Sequence, residues 1–412
     1  MMKRRTLLGL TVAALVVVGA ATPVGAASFT VKCSPNEPGS NEYGSITAAL
    51  NAAKAVSPRD HLIFVWGNCA ETVDIKALDY VRIVGQPGAT LSYPSPPPSE
   101  PVLNLTDTRG TEITNLTIVG NAGVTVDLVR IFYSTAITFN KVTIKGSGGS
   151  GVFVNQGSTV QFKGCVIEGN AGVGVAVGNG SVATFGSNAD PSPETATFVQ
   201  DNGGTGVIGS QNSHVMLGGD VSVLNNGGTG VAATASTIFT CCDTGERRIS
   251  GNGGSGIAVV GGGDFRTWGV LTIENNRGHG LNLNGSSAQV NGDGGALIIR
   301  NNDGYGVVAN RNSSVDIYST LIEYNKGYGV MALDSSTAMI IRSTIQSNGA
   351  AGVAAYFLSV ALISGGNTIT SNGGFDLFCT PDSAGRGTKD GVGKIFCPGF
   401  NQFPSPDPGP PR

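Results

Sequence analysis

From about residue 60 to residue 377 apolar and polar positions alternate in runs of a few residues, rich in Val, Ile and Thr, each closed by Gly, Asn or Ser. Period-two alternation bounded by turn residues predicts short strands, and no run is long enough for a regular helix. The stretch that opens at Asn302 shows the pattern. Gly306-Val307-Val308-Ala309 reads as one strand, Asn310-Arg311-Asn312 as a turn, Ser313 to Ile317 as a second strand and Thr320 to Glu323 as a third.

The strands belong to a repeat. Eleven times between Asn121 and Leu377 the chain returns to Asn-x-Gly-x-Gly-aliphatic, with degenerate copies at Asn121, Ser147, Asn170 and Asn372. From Asn202 onward successive asparagines (Asn226, Asn252, Asn276, Asn302, Asn325, Asn348) stand 23 to 26 residues apart. A fixed period in this range signals a solenoid whose unit is one coil. Stacked coils place like residues about 4.8 Å apart, so the asparagines form one column. A turn amide buried between coils must satisfy its donor and its acceptor, and asparagine on asparagine passes hydrogen bonds along the stack. The column is therefore read as structural.

Tyr43-Gly44-Ser45 to Ala53 resembles the short amphipathic helix that caps the first coil of a right-handed parallel β-helix of the pectin-lyase-like superfamily. Ile63 to Ile75 and Val81 to Gly85 resemble that group's first strands. The resemblance spans about Ser45 to Thr370 and implies an all-β fold: a right-handed parallel β-helix of about eleven or more coils with a short N-terminal capping helix. It is nearly silent on chemistry, because fold does not carry function with it.

Composition adds the compartment. Residues 1–26 read as a signal peptide: a basic start, an apolar stretch from Leu7 to Val18, and a small-residue cleavage site at Val24-Gly25-Ala26. Arg4-Arg5 also partly resembles a twin-arginine signal. Then follow an N-terminal cap at 27–59, the β-helix at 60–377, a C-terminal cap loop at 378–402 and a proline-rich, disordered tail at 403–412. No membrane span is expected in the mature chain, and a net charge of −3 gives no reason to expect nucleic acid. The expected place is outside the cytoplasm, secreted or periplasmic, where seven cysteines invite disulfides. Cys33 with Cys69 would pin the first cap and Cys379 with Cys397 the last loop. Cys165 reads as a small core residue, and Cys241-Cys242 as a vicinal disulfide or as two thiols on opposite faces of a strand. No metal-site spacing is present, and no cofactor is expected.

Chemistry has to lie on outward columns. Two residues before each ladder asparagine the column contains Glu274, Arg300 and Glu323; one residue after, Arg277, Asp303 and Lys326; three after, His279, Tyr305 and Tyr328. Elsewhere these positions are mostly Gly, Ser, Thr and Ala, so all three columns change character in the same coils. One reading is a stabilising ion ladder, each exposed pair contributing roughly 0–1 kcal/mol. The other is a carbohydrate subsite, with sugar rings stacked on tyrosine faces and Arg or Lys neutralising a uronate carboxylate. On the second reading Arg277, His279, Asp303, Tyr305, Lys326 and Tyr328 bind substrate, and the catalytic candidates are Glu274, Arg300 and Glu323.

Motifs of particular enzymes do not carry over. Gly278-His279-Gly280 resembles the Gly-His-Gly of polygalacturonases, but its glycines belong to the repeat and no two aspartates are adjacent. Asp190-Pro191-Ser192-Pro193 lacks the histidine and second acid of the alginate-epimerase-like Asp-Pro-His-Asp. A further outward strip (Phe153, Ala176, Ile208, Ala232, Ala258, Asn282, Val308, Met331, Ala354) is apolar. Its cover would be the Asn188–Thr197 insertion, the C-terminal segment or, in a homo-oligomer, a second copy. The expected function is binding or cleavage of an acidic polysaccharide, by a lyase-like or hydrolase-like enzyme or a binding protein; the alternative is a non-catalytic, adhesin-like or structural solenoid.

Overall fold

Every strand of the coil pairs in parallel with the same strand of the coil before and after it. In the coil around Asn302, Leu297–Arg300 lies between Leu271–Glu274 and Thr320–Glu323, and Val307–Asn310 lies between Leu281–Asn284 and Val330–Ala332. Ser314–Tyr318 lies between Ser287–Asn291 and Thr337–Ile341. The computed structural model describes residues 27–34, 38–40, 42–56, 60–186, 196–240 and 245–402, and in them the coils build three parallel sheets of 16, 13 and 14 strands. We call these sheets I, II and III, in the order in which each coil runs through them. The fold is an all-β right-handed parallel β-helix of about 13 turns. The signal-peptide and tail readings, the Asp190 string, most of the proposed covering insertion, and Cys241-Cys242 fall outside the described residues.

Period-two alternation decides what fills the tube. Inward positions stack like on like, with Ile273, Ile299, Ile322 and Ile345 along sheet II and Val307, Val330 and Val353 along sheet III, all buried. Phe139, Phe162 and Phe185 stack inside sheet I with centroids 5.4 and 5.1 Å apart. Removing one such isoleucine side chain leaves a cavity that costs about 2–5 kcal/mol.

The asparagine column is a continuous buried ladder at the corner between sheets II and III. Asn302 Nδ2 donates to Asn325 Oδ1 at 2.9 Å and to the Ile273 carbonyl at 3.3 Å, and its backbone N–H donates to the same Asn325 oxygen at 3.1 Å. Its own Oδ1 accepts both corresponding bonds from Asn276. The run extends from Asn170 to Asn372 and stops at Asp376. The last rung needs an acceptor and has nothing further to donate to, which suits a carboxylate. The second Asp376 oxygen takes the Lys394 backbone N–H at 2.8 Å. At the other end Ser147 substitutes, donating its backbone N–H to Asn170 Oδ1 at 3.0 Å, while Asn121 is exposed and outside the ladder.

Local backbone demands explain the rest of the motif. The residue before most rungs has positive φ (Asp201, Asn225, Asn275, Asn301, Tyr324, Ser347), a region that short polar residues enter more readily than others. The second motif glycine is required by close approach. A Cβ on Gly280 would lie 2.6 Å from the Gly306 carbonyl oxygen and 3.0 Å from Asn302 Nδ2.

A second buried ladder, made of serines, runs along the corner between sheets III and I. The backbone N–H of Ser134, Ser158, Ser286, Ser313 and Ser336 each donates to the hydroxyl of the corresponding serine one coil on. The ends are closed separately. Helix Ile46–Lys54 buries Ile46, Ala49, Leu50 and Ala53 over the first coil, with Ser45 as N-cap. Glu71 accepts the Ile46 and Thr47 N–H groups at 2.6 and 3.0 Å, where the helix dipole favours an anion. Ala27–Lys32, within the segment read as a cap, is itself a strand of sheet I. Pairing likewise continues past residue 377 through Ala384–Gly387 and Ile395–Phe396. The disulfides Cys33–Cys69 and Cys379–Cys397 are both formed. Cys165 is a buried thiol pushed up to about 12 by desolvation, which keeps it inert.

Candidate functional site

Sheet register brings the nine residues singled out in the sequence together along sheet II and the adjoining ladder corner, but Glu274 and Glu323, expected to face outward, are buried there. Glu274 lies beside Arg300, Arg300 beside Glu323, and Glu323 beside Gln346. The charges do not simply alternate. Glu274 is gripped from both sides, by Arg248 Nη2 at 2.6 Å and Arg300 Nε at 2.8 Å. Glu323 instead accepts from Gln346 Nε2 at 2.9 Å. Burial alone would raise the Glu274 pKa, but the two guanidinium hydrogen bonds outweigh it and the net shift is downward. Glu274 is therefore held as a carboxylate.

Nearer the corner the groups face water. Lys326 pairs with Asp303 at 2.8 Å, both well exposed. Arg277 is exposed, and among the described residues no ion pair is recorded for it. The His279 ring stacks on Tyr305, centroids 4.7 Å apart and planes 26° apart, and Tyr328 meets Tyr305 edge-on at 5.2 Å. His279 Nδ1 accepts the Tyr305 backbone N–H at 2.9 Å, so the ring proton belongs on Nε2. Burial lowers the His279 pKa and favours the neutral ring.

The shelf is longer than the three columns suggested. Tyr356 continues it, its hydroxyl 2.8 Å from that of Tyr328, and Phe378, Phe396 and Phe375 follow at 5.3 to 5.9 Å. Tyr328 precedes the sheet III strand Val330–Ala332 and Tyr356 follows Val353–Ala355. Their hydroxyl contact bridges the outward face between them, where Met331 and Ala354 are buried. Part of the apolar strip is thus shielded by the chain's own tyrosines. Tyr356 and Phe378 lie outside the three ladder-referenced columns, so counting from the asparagine missed them; the apolar strip, extended one coil, would have reached Phe378 through its pairing with Ala354.

Sheet I holds a second polar group that sequence columns did not single out. Trp268 is 56 % exposed and shares a column with Asn291 and Tyr318, beside Arg266, Gln289 and Asp316. Asp316 is the one described carboxylate whose pKa is raised, by desolvation, and Tyr318 is raised by burial and by the Asp316 charge. A hollow of about 500 Å³ on this sheet lies several coils away, lined by Thr138, Thr159, Gln161, Lys163 and Thr184 without a carboxylate or histidine. Among the described residues the one cluster with metal-ligand spacing is Cys33, Cys69 and Glu71. It is already committed: the sulfurs are joined, and the carboxylate caps the helix.

The arrangement resembles known proteins in architecture. It is similar to the A-module of the Azotobacter vinelandii mannuronan C-5 epimerase AlgE4, at 13% identity and a TM-score of 0.52, over 87% of this chain and 95% of that one. It is also similar to a point variant of the periplasmic alginate epimerase AlgG, at 13% identity and a TM-score of 0.50, over 84% and 79% of the two chains. At that identity the likeness shows the fold alone. No curated protein matches the sequence significantly. The model of the right-handed β-helix region matches residues 102–190 and 243–385, more than half of the chain. Together with the coil geometry, this shows that the chain belongs to the right-handed β-helix family, within the pectin-lyase-like group.

Proposed function

We propose that this protein is an exported, carbohydrate-active β-helix that binds an acidic polysaccharide along the shelf of His279, Tyr305 and Tyr328, with Arg277 and Lys326 meeting the polymer's carboxylates. The observation that carries the reading is the continuous aromatic row, with steps of 4.7 and 5.2 Å, beside the exposed Arg277 guanidinium. Sugar rings stack on aromatic faces, and Arg matches a carboxylate with two parallel hydrogen bonds. The epimerases named above act, by their names, on mannuronan and alginate, which motivates the choice of a uronate polymer. Glu274, Arg300 and Glu323 then act as a brace behind the shelf. A carboxylate clamped by two arginines and shifted downward is unsuited to general-acid work, which needs a pKa near the working pH. Two formed disulfides fit an oxidising compartment, and residues 1–26 have the composition of a leader that would deliver the chain there.

One observation favours catalysis as a second reading, at a different place. Asp316, two residues before Tyr318 on the same face of sheet I, is shifted upward by desolvation, the direction that a general acid requires. The test uses the full mature chain against polymannuronate, polygalacturonate and a neutral glucan, scoring gel retardation for binding and new chain ends for cleavage. Retardation by the uronate polymers, lost in Arg277→Ala, supports the binding reading; new ends abolished by Asp316→Asn support the catalytic one. Absence of retardation by every uronate polymer sinks the proposal.

A further inference from the structure

At the opposite end of the solenoid the corner between sheets II and III is built differently, and a cavity results. Where later coils cross it with the compact Asn-x-Gly-x-Gly turn, the second coil runs from Thr90–Ser92 to Leu103–Thr106 through a loop with five prolines, Pro94, Pro96, Pro97, Pro98 and Pro101. Tyr93 ties this loop down by donating its hydroxyl to the Glu100 carbonyl at 2.8 Å. Loop and sheet III enclose about 340 Å³, lined by Thr72, Asp74, Glu100, Pro101, Asn104 and Arg130. That volume is at the lower end of small-molecule sites.

The polar groups in the cavity are only half used. Asn104 Nδ2 donates to Asp74 Oδ1 at 3.0 Å, but the buried Asn104 Oδ1 has no hydrogen-bond partner within the protein. Arg130 reaches Asp127 at 3.5 Å through Nη2, while its buried Nε has no hydrogen-bond partner within the protein. Asn104 and Arg130 are register neighbours on sheet III, and Asp74 is the next residue in the same column. A buried donor and a buried acceptor left unmet are each costly, on the order of 1–3 kcal/mol, so native structures rarely keep two in one column without a use for them.

We infer that this cavity is a binding site for a neutral sugar residue, recognised through adjacent hydroxyl groups. A hydroxyl both accepts and donates. One can take the Arg130 Nε–H and donate to Asn104 Oδ1, and its neighbour can donate to the Asp74 or Glu100 carboxylate. Acidic groups outnumber the single guanidinium around the cavity (Asp74, Glu100 and Asp127 against Arg130), and Lys76 stands two residues farther along its strand, outside the lining. A uronate carboxylate is therefore disfavoured here, and selectivity is the reverse of the shelf's. The site needs nothing from the shelf, so either can fail alone.

Saturation-transfer NMR on the full mature chain tests the inference, using xylo-, manno-, galacto- and cello-oligosaccharides, the four monosaccharides, and an oligouronate. At least one neutral ligand is expected to receive saturation. A longer oligomer that outcompetes its monosaccharide assigns the site to a polymer, and equal binding assigns it to the free sugar. Arg130→Met is expected to weaken that binding at least tenfold. Asp74→Asn serves as a milder second variant, with a severalfold loss, and both are checked for an unchanged melting curve. Oligouronate binding at the shelf should be untouched by either change. No saturation of any neutral sugar, or equal binding by wild type and both variants, overturns the proposal.

Discussion

The coils at Asn226 and Asn252 and the coils at Asn276, Asn302 and Asn325 have the same inside and different outsides. Both regions have the asparagine rung with bonds near 2.9–3.0 Å, the same register, and buried aliphatic columns. Outside, the first region presents Gly227, Gly253 and Thr229, and the second Arg277, Asp303, Lys326, His279, Tyr305 and Tyr328. Repetition is enforced where each coil must satisfy the next, through buried amides and matched volumes. Where the chain meets water that pressure is absent, so departures from the repeat are free to report function.

On the inside the two regions should respond alike. Ile249→Ala and Ile299→Ala remove matching buried side chains, and each should destabilise by about 2–5 kcal/mol in denaturant titration. A large effect in only one region would mean that the coils are not equivalent. Asn226→Leu and Asn302→Leu should each cost about 1–3 kcal/mol, because the adjacent rungs lose a donor and an acceptor in a buried site. Equal unfolding midpoints for mutant and wild type would remove the ladder from the stability account.

On the outside the regions should separate. His279 has a lowered folded pKa caused by burial, so its contribution to stability is present above the unfolded value near 6.5 and is lost as pH falls through the folded value. Protonation also ends its acceptance of the Tyr305 N–H. The melting temperature should fall over that window in wild type and less so in His279→Gln; identical profiles would contradict the assignment. The smallest effect belongs to the exposed Lys326–Asp303 pair. Lys326→Ala should change stability by under about 0.5 kcal/mol, a value that a single careful titration can bound.

Legibility in the sequence follows the same division. The coil, the capping helix, the asparagine ladder and both described disulfides could be read because each rests on a repeated or paired residue. The serine ladder was missed because Ser is also an ordinary turn residue, so Ser134, Ser158 and Ser313 do not stand out from the surrounding polar turns. Columns counted from the asparagine found His279, Tyr305 and Tyr328 but not Tyr356, which reaches the shelf across a strand face. Nor could they show that Arg300 turns toward Glu274 and leaves Glu323 to Gln346, a choice of rotamer and distance. The proline-rich loop after Ser92 interrupts the repeat, and the pairing of its cavity with Asn104 and Arg130 depends on register that only the folded coil defines.

The buried ladder holds the solenoid, and on the binding function proposed above the outward columns do its work, each without the other. Two variants measured side by side test it: Asn302→Leu and Arg277→Ala, each assayed for unfolding midpoint and for retardation by a uronate polymer. Asn302→Leu should melt earlier yet bind normally while folded, and Arg277→Ala should melt as wild type does and bind at least tenfold more weakly. If Asn302→Leu retains full stability, or Arg277→Ala binds as wild type, the division between inner scaffold and outer site is wrong.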